Sequence, residues 1–324
     1  RFRRPVPTAA VAAVEPASSR ADAGPSAGRA PAVDAPETPT GRLRRIRAER
    51  LRVADLVPPE PDRSTAFRKR FGNPYDTQGP KVRLGALWAL AVAGALWPQA
   101  LRPWGLAVLF GVVAGAAAAQ VVDAGRGDRQ SLDRVVAALG GSALPVVATL
   151  GAQALGVGYL LLVATSVVAC VVTPERGRLP LPRAGAITAA AGVCGGAAAS
   201  LVLLADYEIG ALIILLAFAL AYDASDFIVG SGAGNGAEGP LSGILMIAAF
   251  AALFAVVEAP PFRGADIWTF AVLAMVACPA GQMLGSALLP SAEVHAPALR
   301  RLDSLLVVAP AWAGLVGLYL ANAA

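Results

Sequence analysis

Long apolar runs follow one another from Leu84 to the end of the chain, separated by short charged connections. A helix needs about 20 apolar residues to cross the hydrocarbon core of a bilayer. The runs therefore predict an all-α integral membrane domain over 84–324. About nine membrane-spanning helices are expected, at 84–101, 104–123, 134–150, 152–172, 185–205, 207–222, 241–258, 267–289 and 304–322.

Charge is concentrated in the part of the chain that precedes these runs. Residues 1–83 hold 17 of the 27 Lys and Arg but 9 of the 22 Asp and Glu, a net charge of +8. Residues 5–41 are rich in Ala, Pro, Ser and Gly, a composition that buries too little apolar surface to fold. We expect 1–83 to be a disordered, basic, cytoplasmic tail. Because it adjoins a membrane domain, its predicted partner is anionic phospholipid and not nucleic acid.

One segment of the tail, 41–56, has two interpretations of equal weight. Leu43, Ile46 and Val53 fall roughly on one helical face and arginines cover the rest, which fits an amphipathic helix lying on anionic lipid. Arg50 interrupts the apolar stripe, and the alternative is an unstructured basic linker.

Arginine placement predicts the orientation of the membrane domain, since cytoplasmic loops carry an excess of Lys and Arg. With the tail inside, eight of the ten arginines after residue 83 fall on cytoplasmic connections, and only Arg102 and Arg263 fall outside. The prediction is a multi-pass protein of the cell membrane with a cytoplasmic N-terminus and an external C-terminus. The sequence leaves a homodimer open.

Two of the cytoplasmic segments carry candidate chemistry. In the first, AYDASDFIVGSGAGNGAEG at 221–239, Asp223 and Asp226 share a face if the helix continues, and paired carboxylates can hold Mg²⁺. Its glycines let backbone approach a ligand closely. An ordinary turn flanked by acidic residues is the alternative.

The second segment, 290–312, places His295, Arg300, Arg301 and Asp303 just before the last apolar run. The planar fork of arginine suits phosphate recognition. The alternative is a cluster of positive charge that marks the cytoplasmic side, with Asp303 or Ser304 capping the next helix.

Together the two segments resemble the CTP:phosphatidate cytidylyltransferase (CDP-diacylglycerol synthase) family. That family's C-terminal signature has His-Gly-Gly, two variable residues and Asp-Arg-x-Asp-Ser before an apolar helix. Here HAPALRRLDSLLVVAPAW keeps His295, Arg301, Asp303 and Ser304 at the signature's spacing. In the other segment Asp223, Phe227 and Gly230 keep the spacing of the family's Asp, Tyr and Gly. The likeness covers 207–324.

The resemblance implies a membrane enzyme of phospholipid synthesis that converts CTP and phosphatidic acid to CDP-diacylglycerol, with Mg²⁺ as cofactor. It implies that Asp223, Asp226 and Asp303 hold the metal and that Arg300 and Arg301 bind phosphate. Asp303, Asp223 and His295 would be the catalytic residues, with His295 orienting a carboxylate or phosphate.

This chain also departs from the family. Arg300 stands where the signature has its first Asp, Gln282 replaces another Asp, and no lysine follows Lys81. A catalytically inactive member that acts as a lipid-binding or scaffold protein is therefore the alternative. A small-solute transporter ranks last, because the predicted spans hold almost no ionisable residue.

Overall fold

The computed structural model describes residue 70 and residues 81–97, 102–125, 131–174, 179–231 and 237–323. These ranges hold nine α-helices, with a 3-10 turn at Leu299–Arg301 before the last. The helices are α1 (Lys81–Leu96), α2 (Arg102–Gly125), α3 (Ser131–Ala148), α4 (Ala152–Val172), α5 (Pro180–Tyr207), α6 (Ile209–Gly230), α7 (Glu238–Val256), α8 (Asp266–Ala287) and α9 (Leu305–Ala323).

Seven of these helices, all except α1 and α3, are long and apolar enough to cross a bilayer. The chain is accordingly a helical, multi-pass membrane protein, and the described ranges contain no β-strand. The all-α membrane prediction is confirmed at this level. The count of nine spans stays a prediction, because α1 and α3 are not among the seven.

Most helix bounds lie close to the predicted segments, but α1, α5 and α6 differ from them; α5 begins at Pro180 instead of residue 185. α4 occupies 152–172 as predicted, and Gly151 supplies the turn before it with a φ of 100°. α1 begins at Lys81, inside the segment predicted to be tail, and α6 continues to Gly230 instead of ending at residue 222. The predictions for the rest of the tail, disorder and a helix at 41–56, lie outside the described residues.

Small residues hold α2, α3 and α5 close together. A Cβ added to Gly195 of α5 would lie 2.8 Å from the carbonyl oxygen of Gly141 in α3, and one on Gly141 would lie 3.0 Å from that of Ala114 in α2. A Cβ at either position would push the neighbouring helix backbone away. Close backbone approach of this kind stabilises helix pairs in lipid, where burial of apolar surface gives no advantage.

The two ends of the bundle differ in chemistry. At one end, exposed aromatic side chains cluster at helix termini: Trp97, Trp104, Tyr207 and Trp268. Tryptophan and tyrosine favour the membrane–water interface. Just inside, the fully buried Trp312 packs edge-on against Phe218 and Phe270 and donates its indole N–H to Ala211 O at 3.2 Å.

The other end, which we call the site end, holds the C-termini of α2, α4, α6 and α8 and the N-termini of α3, α5, α7 and α9. A buried ion pair joins α3 to α5 there: Arg183 Nε and Nη2 donate to the Asp133 carboxylate at 2.7 and 2.6 Å. Arg183 also donates to Thr173 at the end of α4. Three helix termini are thus fixed by one guanidinium.

Candidate functional site

The connection between α8 and α9 lies directly on α8 at the site end. A Cβ added to Gly285 would lie 2.9 Å from Asp303 Cβ, and one on Gly281 would meet the carbonyl oxygens of Asp303 and Ser304. The side chain of Gln120 in α2 accepts hydrogen bonds from the backbone N–H groups of the same connection at its 3-10 turn. These packing contacts fix Asp303 in the interior of the bundle.

Asp223 and Asp303 meet at a single residue, Ser304. Ser304 Oγ donates to Asp223 Oδ2 at 3.0 Å, and Ser304 N donates to Asp303 Oδ1 at 2.8 Å. Asp223 comes from α6, whereas Asp303 and Ser304 immediately precede α9. Two of the predicted site carboxylates, from distant parts of the sequence, therefore lie beside each other.

Asp226 has a different environment from Asp223, although both lie on α6. It is buried and accepts a hydrogen bond from Gln282 Nε2 of α8 at 3.0 Å. Gln282 Oε1 in turn accepts from the Tyr222 hydroxyl at 2.9 Å. Asp226 thus receives a hydrogen bond from the neutral side chain of Gln282 in α8. Asp223 instead receives one from Ser304 in the α8–α9 connection.

Arg300 is bound within the protein. Its Nη1 donates to Ser286 Oγ at 2.9 Å, its Nη2 donates to Ala292 O at 2.9 Å, and Nη1 lies 3.5 Å from Asp303 Oδ2. The predicted role of Arg300 as a phosphate ligand would require part of this arrangement to open. In the described state its cation neutralises Asp303.

The electrostatics of Asp303 follow from this position. Burial raises the pKa of the Asp303 carboxyl to about 6, while the neighbouring Arg300 and the hydrogen bond from Ser304 oppose the shift. The physical cause is that burial penalises the charged form more than the nearby cation stabilises it. A further positive charge at this point would favour the carboxylate.

Arg301 and His295 are the predicted site residues whose side chains make no hydrogen bond to another described residue. Arg301 is half-buried and interacts electrostatically with Asp223. Among the described residues its guanidinium has no hydrogen-bond partner, so it is better placed than Arg300 to receive an anion. His295 is exposed, and no hydrogen bond or ion pair joins it to any other described residue.

A metal site built from all three predicted carboxylates is not assembled in this arrangement. Over the ranges that the structure covers, no group of three or more His, Cys, Asp or Glu side chains is placed to hold a metal ion. Asp226 accepts a hydrogen bond from Gln282, and its charge acts on both Asp223 and Asp303. Asp223 and Asp303 retain the oxygen donors that Mg²⁺ prefers. The glycines at 232, 234 and 236 lie outside the described residues.

Sequence reasoning missed three residues of this region: Gln120, Ser286 and Arg70. A glutamine within an apolar helix is a signal that could have found Gln120, since buried polar groups are paired. Ser286 and Arg70 gave no such signal. Arg70 belongs to the segment that we predicted to be tail, yet it contacts the end of α8.

Comparison of the chain with protein-family models and with curated proteins gives no match. The resemblance to the cytidylyltransferases therefore rests on the residues of the two segments.

Proposed function

We propose that this chain is a divergent membrane protein of the CTP:phosphatidate cytidylyltransferase type, with its reaction centre at Asp223 and Asp303. The observation that supports this is the meeting of both carboxylates at Ser304. The resemblance requires these two residues to act together, although α7 and α8 separate them in the chain. The proposed reaction joins the phosphate of phosphatidic acid to the α-phosphorus of CTP and releases pyrophosphate, giving CDP-diacylglycerol.

In this proposal the residues of the site bind and orient two polyanionic substrates. Arg301, which has no hydrogen-bond partner among the described residues, receives a phosphate of one substrate. Asp223 and Asp303 would hold Mg²⁺, which when bound neutralises phosphate charge. Asp226 accepts a hydrogen bond from Gln282 and acts on the other two carboxylates through its charge. His295, exposed on the α8–α9 connection, orients a phosphate at the entrance.

The second candidate is a catalytically inactive member that binds phosphatidic acid and acts as a scaffold. The pairing of Arg300 with Asp303 favours it, because an internal cation already occupies the neighbourhood of the carboxylate. Loss of one preorganised electrostatic contact costs about 3–4 kcal/mol of transition-state stabilisation. This chain has an arginine in place of one carboxylate and lacks the family's lysines as well.

An assay of the purified full chain with CTP, phosphatidic acid and Mg²⁺ tests the proposal, beside an Arg300→Asp variant. Formation of CDP-diacylglycerol by the unmodified protein supports the enzyme. Activity that appears only in Arg300→Asp indicates a competent scaffold that a single residue has silenced. If neither protein reacts, stabilisation against heat by phosphatidic acid supports the second candidate. Absence of both reaction and stabilisation rejects the two candidates together.

The orientation and cellular location belong to the same proposal. We place the site end and the N-terminus in the cytoplasm, where CTP is available, and the C-terminus outside, in the cell membrane. The arginine distribution supports this placement.

A further inference from the structure

Arg70, which precedes α1 in the chain, reaches the C-terminal end of α8. Its Nη1 donates to Ser286 O at 3.0 Å and to Leu289 O at 2.6 Å, and its Nη2 donates to Ala287 O at 3.3 Å. The last carbonyl groups of a helix lack intrahelical partners and carry the negative end of its dipole. The Arg70 guanidinium binds two carbonyl groups in the last turn of α8, those of Ser286 and Ala287, and a third, that of Leu289, just beyond the helix.

Ser286 connects this cap to the candidate site. Its carbonyl oxygen accepts from Arg70, while its hydroxyl oxygen accepts from Arg300 Nη1 at 2.9 Å. Arg300 then lies 3.5 Å from Asp303. A continuous path of polar contacts leads from Arg70 through Ser286 and Arg300 to one of the two site carboxylates.

The start of the α8–α9 connection is held from two sides by the same pair of arginines. Arg70 binds the carbonyl of Leu289, and Arg300 Nη2 binds the carbonyl of Ala292 at 2.9 Å. Both guanidinium groups also bind Ser286, which is buried. If Arg70 is removed, the carbonyl groups at the end of α8 lose their guanidinium donor. Ser286, whose hydroxyl binds Arg300, then loses the hydrogen bond that its carbonyl accepts from Arg70.

We infer that Arg70 is a positioning residue for the candidate site, supplied by the segment that precedes the membrane domain. It does not bind the site carboxylates itself. It fixes the end of α8, so that Ser286 holds the Arg300 guanidinium against Asp303. The inference does not rest on the proposed reaction, because it concerns the geometry of the α8–α9 connection whatever the site binds.

The inference is tested by hydrogen exchange on the full chain in detergent, without substrate. In Arg70→Ala, the backbone amides of 299–305 exchange about tenfold faster than in the unmodified protein, the equivalent of about one hydrogen bond. Arg70→Lys, which keeps a cationic donor, restores part of the protection. Arg102→Ala is the matched control, because Arg102 Nε binds Leu96 O at 3.0 Å at the opposite end of the bundle. It leaves these amides unchanged.

A second comparison separates positioning from a general loss of stability. In an Arg300→Ala background, Arg70→Ala adds little further exchange over 302–305, because the path through Ser286 is already broken. If Arg70→Ala misfolds, Ser286→Ala tests the same path. Unchanged exchange in Arg70→Ala overturns the inference. An Arg70→Ala effect of the same size with and without Arg300 also overturns it. Since no substrate is present, either result leaves the proposed function to be judged by its own assay.

Discussion

Ser304 Oγ lies 3.0 Å from Asp223 Oδ2, although the two residues are 81 positions apart in the chain. Ser304 is buried, and the side chain of Asp223 is half-buried. The hydroxyl of Ser304 donates to Asp223 and its backbone N–H donates to Asp303, so one residue supplies a donor to each carboxylate. The site therefore depends on a residue with no charge of its own.

Ser304→Ala should destabilise the protein by about 1–3 kcal/mol, because the Asp223 carboxylate loses a donor in a poorly hydrated place. Thermal unfolding of the purified protein in detergent measures this. Ser231→Ala is the control, since Ser231 is exposed at the end of the same helix as Asp223. Equal melting temperatures for the two variants would contradict the importance of the bridge.

The ion pair of Asp133 and Arg183 should be costly to break. Each single alanine substitution leaves a buried charge without its partner and should destabilise the protein by about 3–5 kcal/mol. The double substitution should cost less than the sum of the two. The control pair is Asp123 and Arg134. Arg134 Nε lies 3.3 Å from Asp123 Oδ2, and the side chains of Asp123 and Arg134 are 33% and 55% exposed. Breaking that pair should cost no more than about 1 kcal/mol.

The close approach of α5 to α3 predicts a difference between two glycines of one helix. Gly195→Ala places a methyl group 2.8 Å from Gly141 O and should lower the melting temperature through a forced backbone shift. Gly185→Ala meets no atom within 4 Å. It should be neutral or stabilise by up to about 1 kcal/mol, since alanine favours a helix over glycine. Equal destabilisation by both would show that α5 does not pack in this way.

The predicted orientation is tested by cysteine labelling. The native residues Cys170, Cys194 and Cys278 are buried, so their background labelling should be low. Ser231→Cys at the site end and Asp206→Cys at the opposite end are both at exposed positions. A membrane-impermeant maleimide applied to intact cells should label position 206 and not position 231. The reverse pattern would place the site end outside.

The helices were largely predictable from sequence, because apolar run length determines what can cross a bilayer. The division of the run over 134–172 into two helices was predicted from its length, as the segments 134–150 and 152–172. The end of α6 was not, because the predicted span stopped at residue 222 and left open whether the helix continues through Asp223 and Asp226. Ser304 and Gln282 supply hydrogen bonds that let the helix continue. Such partners come from distant segments and leave no local signal.

The site was only partly predictable for the same reason. The spacing of Asp303 and Arg301 identified the α8–α9 connection. The spacing could not show that the Arg300 guanidinium binds other residues of the protein, because its partners, the Ser286 hydroxyl and the Ala292 carbonyl, have no fixed spacing from it that a sequence reveals. Arg183 was taken as an arginine marking the cytoplasmic side, and its buried partner Asp133 was not singled out.

Dependence of cytidylyl transfer on Asp303 tests the central proposal most directly. Purified protein would be given labelled CTP, phosphatidic acid and Mg²⁺, and CDP-diacylglycerol would be measured for the unmodified chain, Asp303→Asn and the control Asp206→Asn. Asp206 is exposed at the opposite end of the bundle. We predict product from the unmodified chain and from Asp206→Asn, and a loss of at least about 100-fold in Asp303→Asn, the effect of removing one preorganised contact. Undiminished product from Asp303→Asn would contradict the assignment of this site.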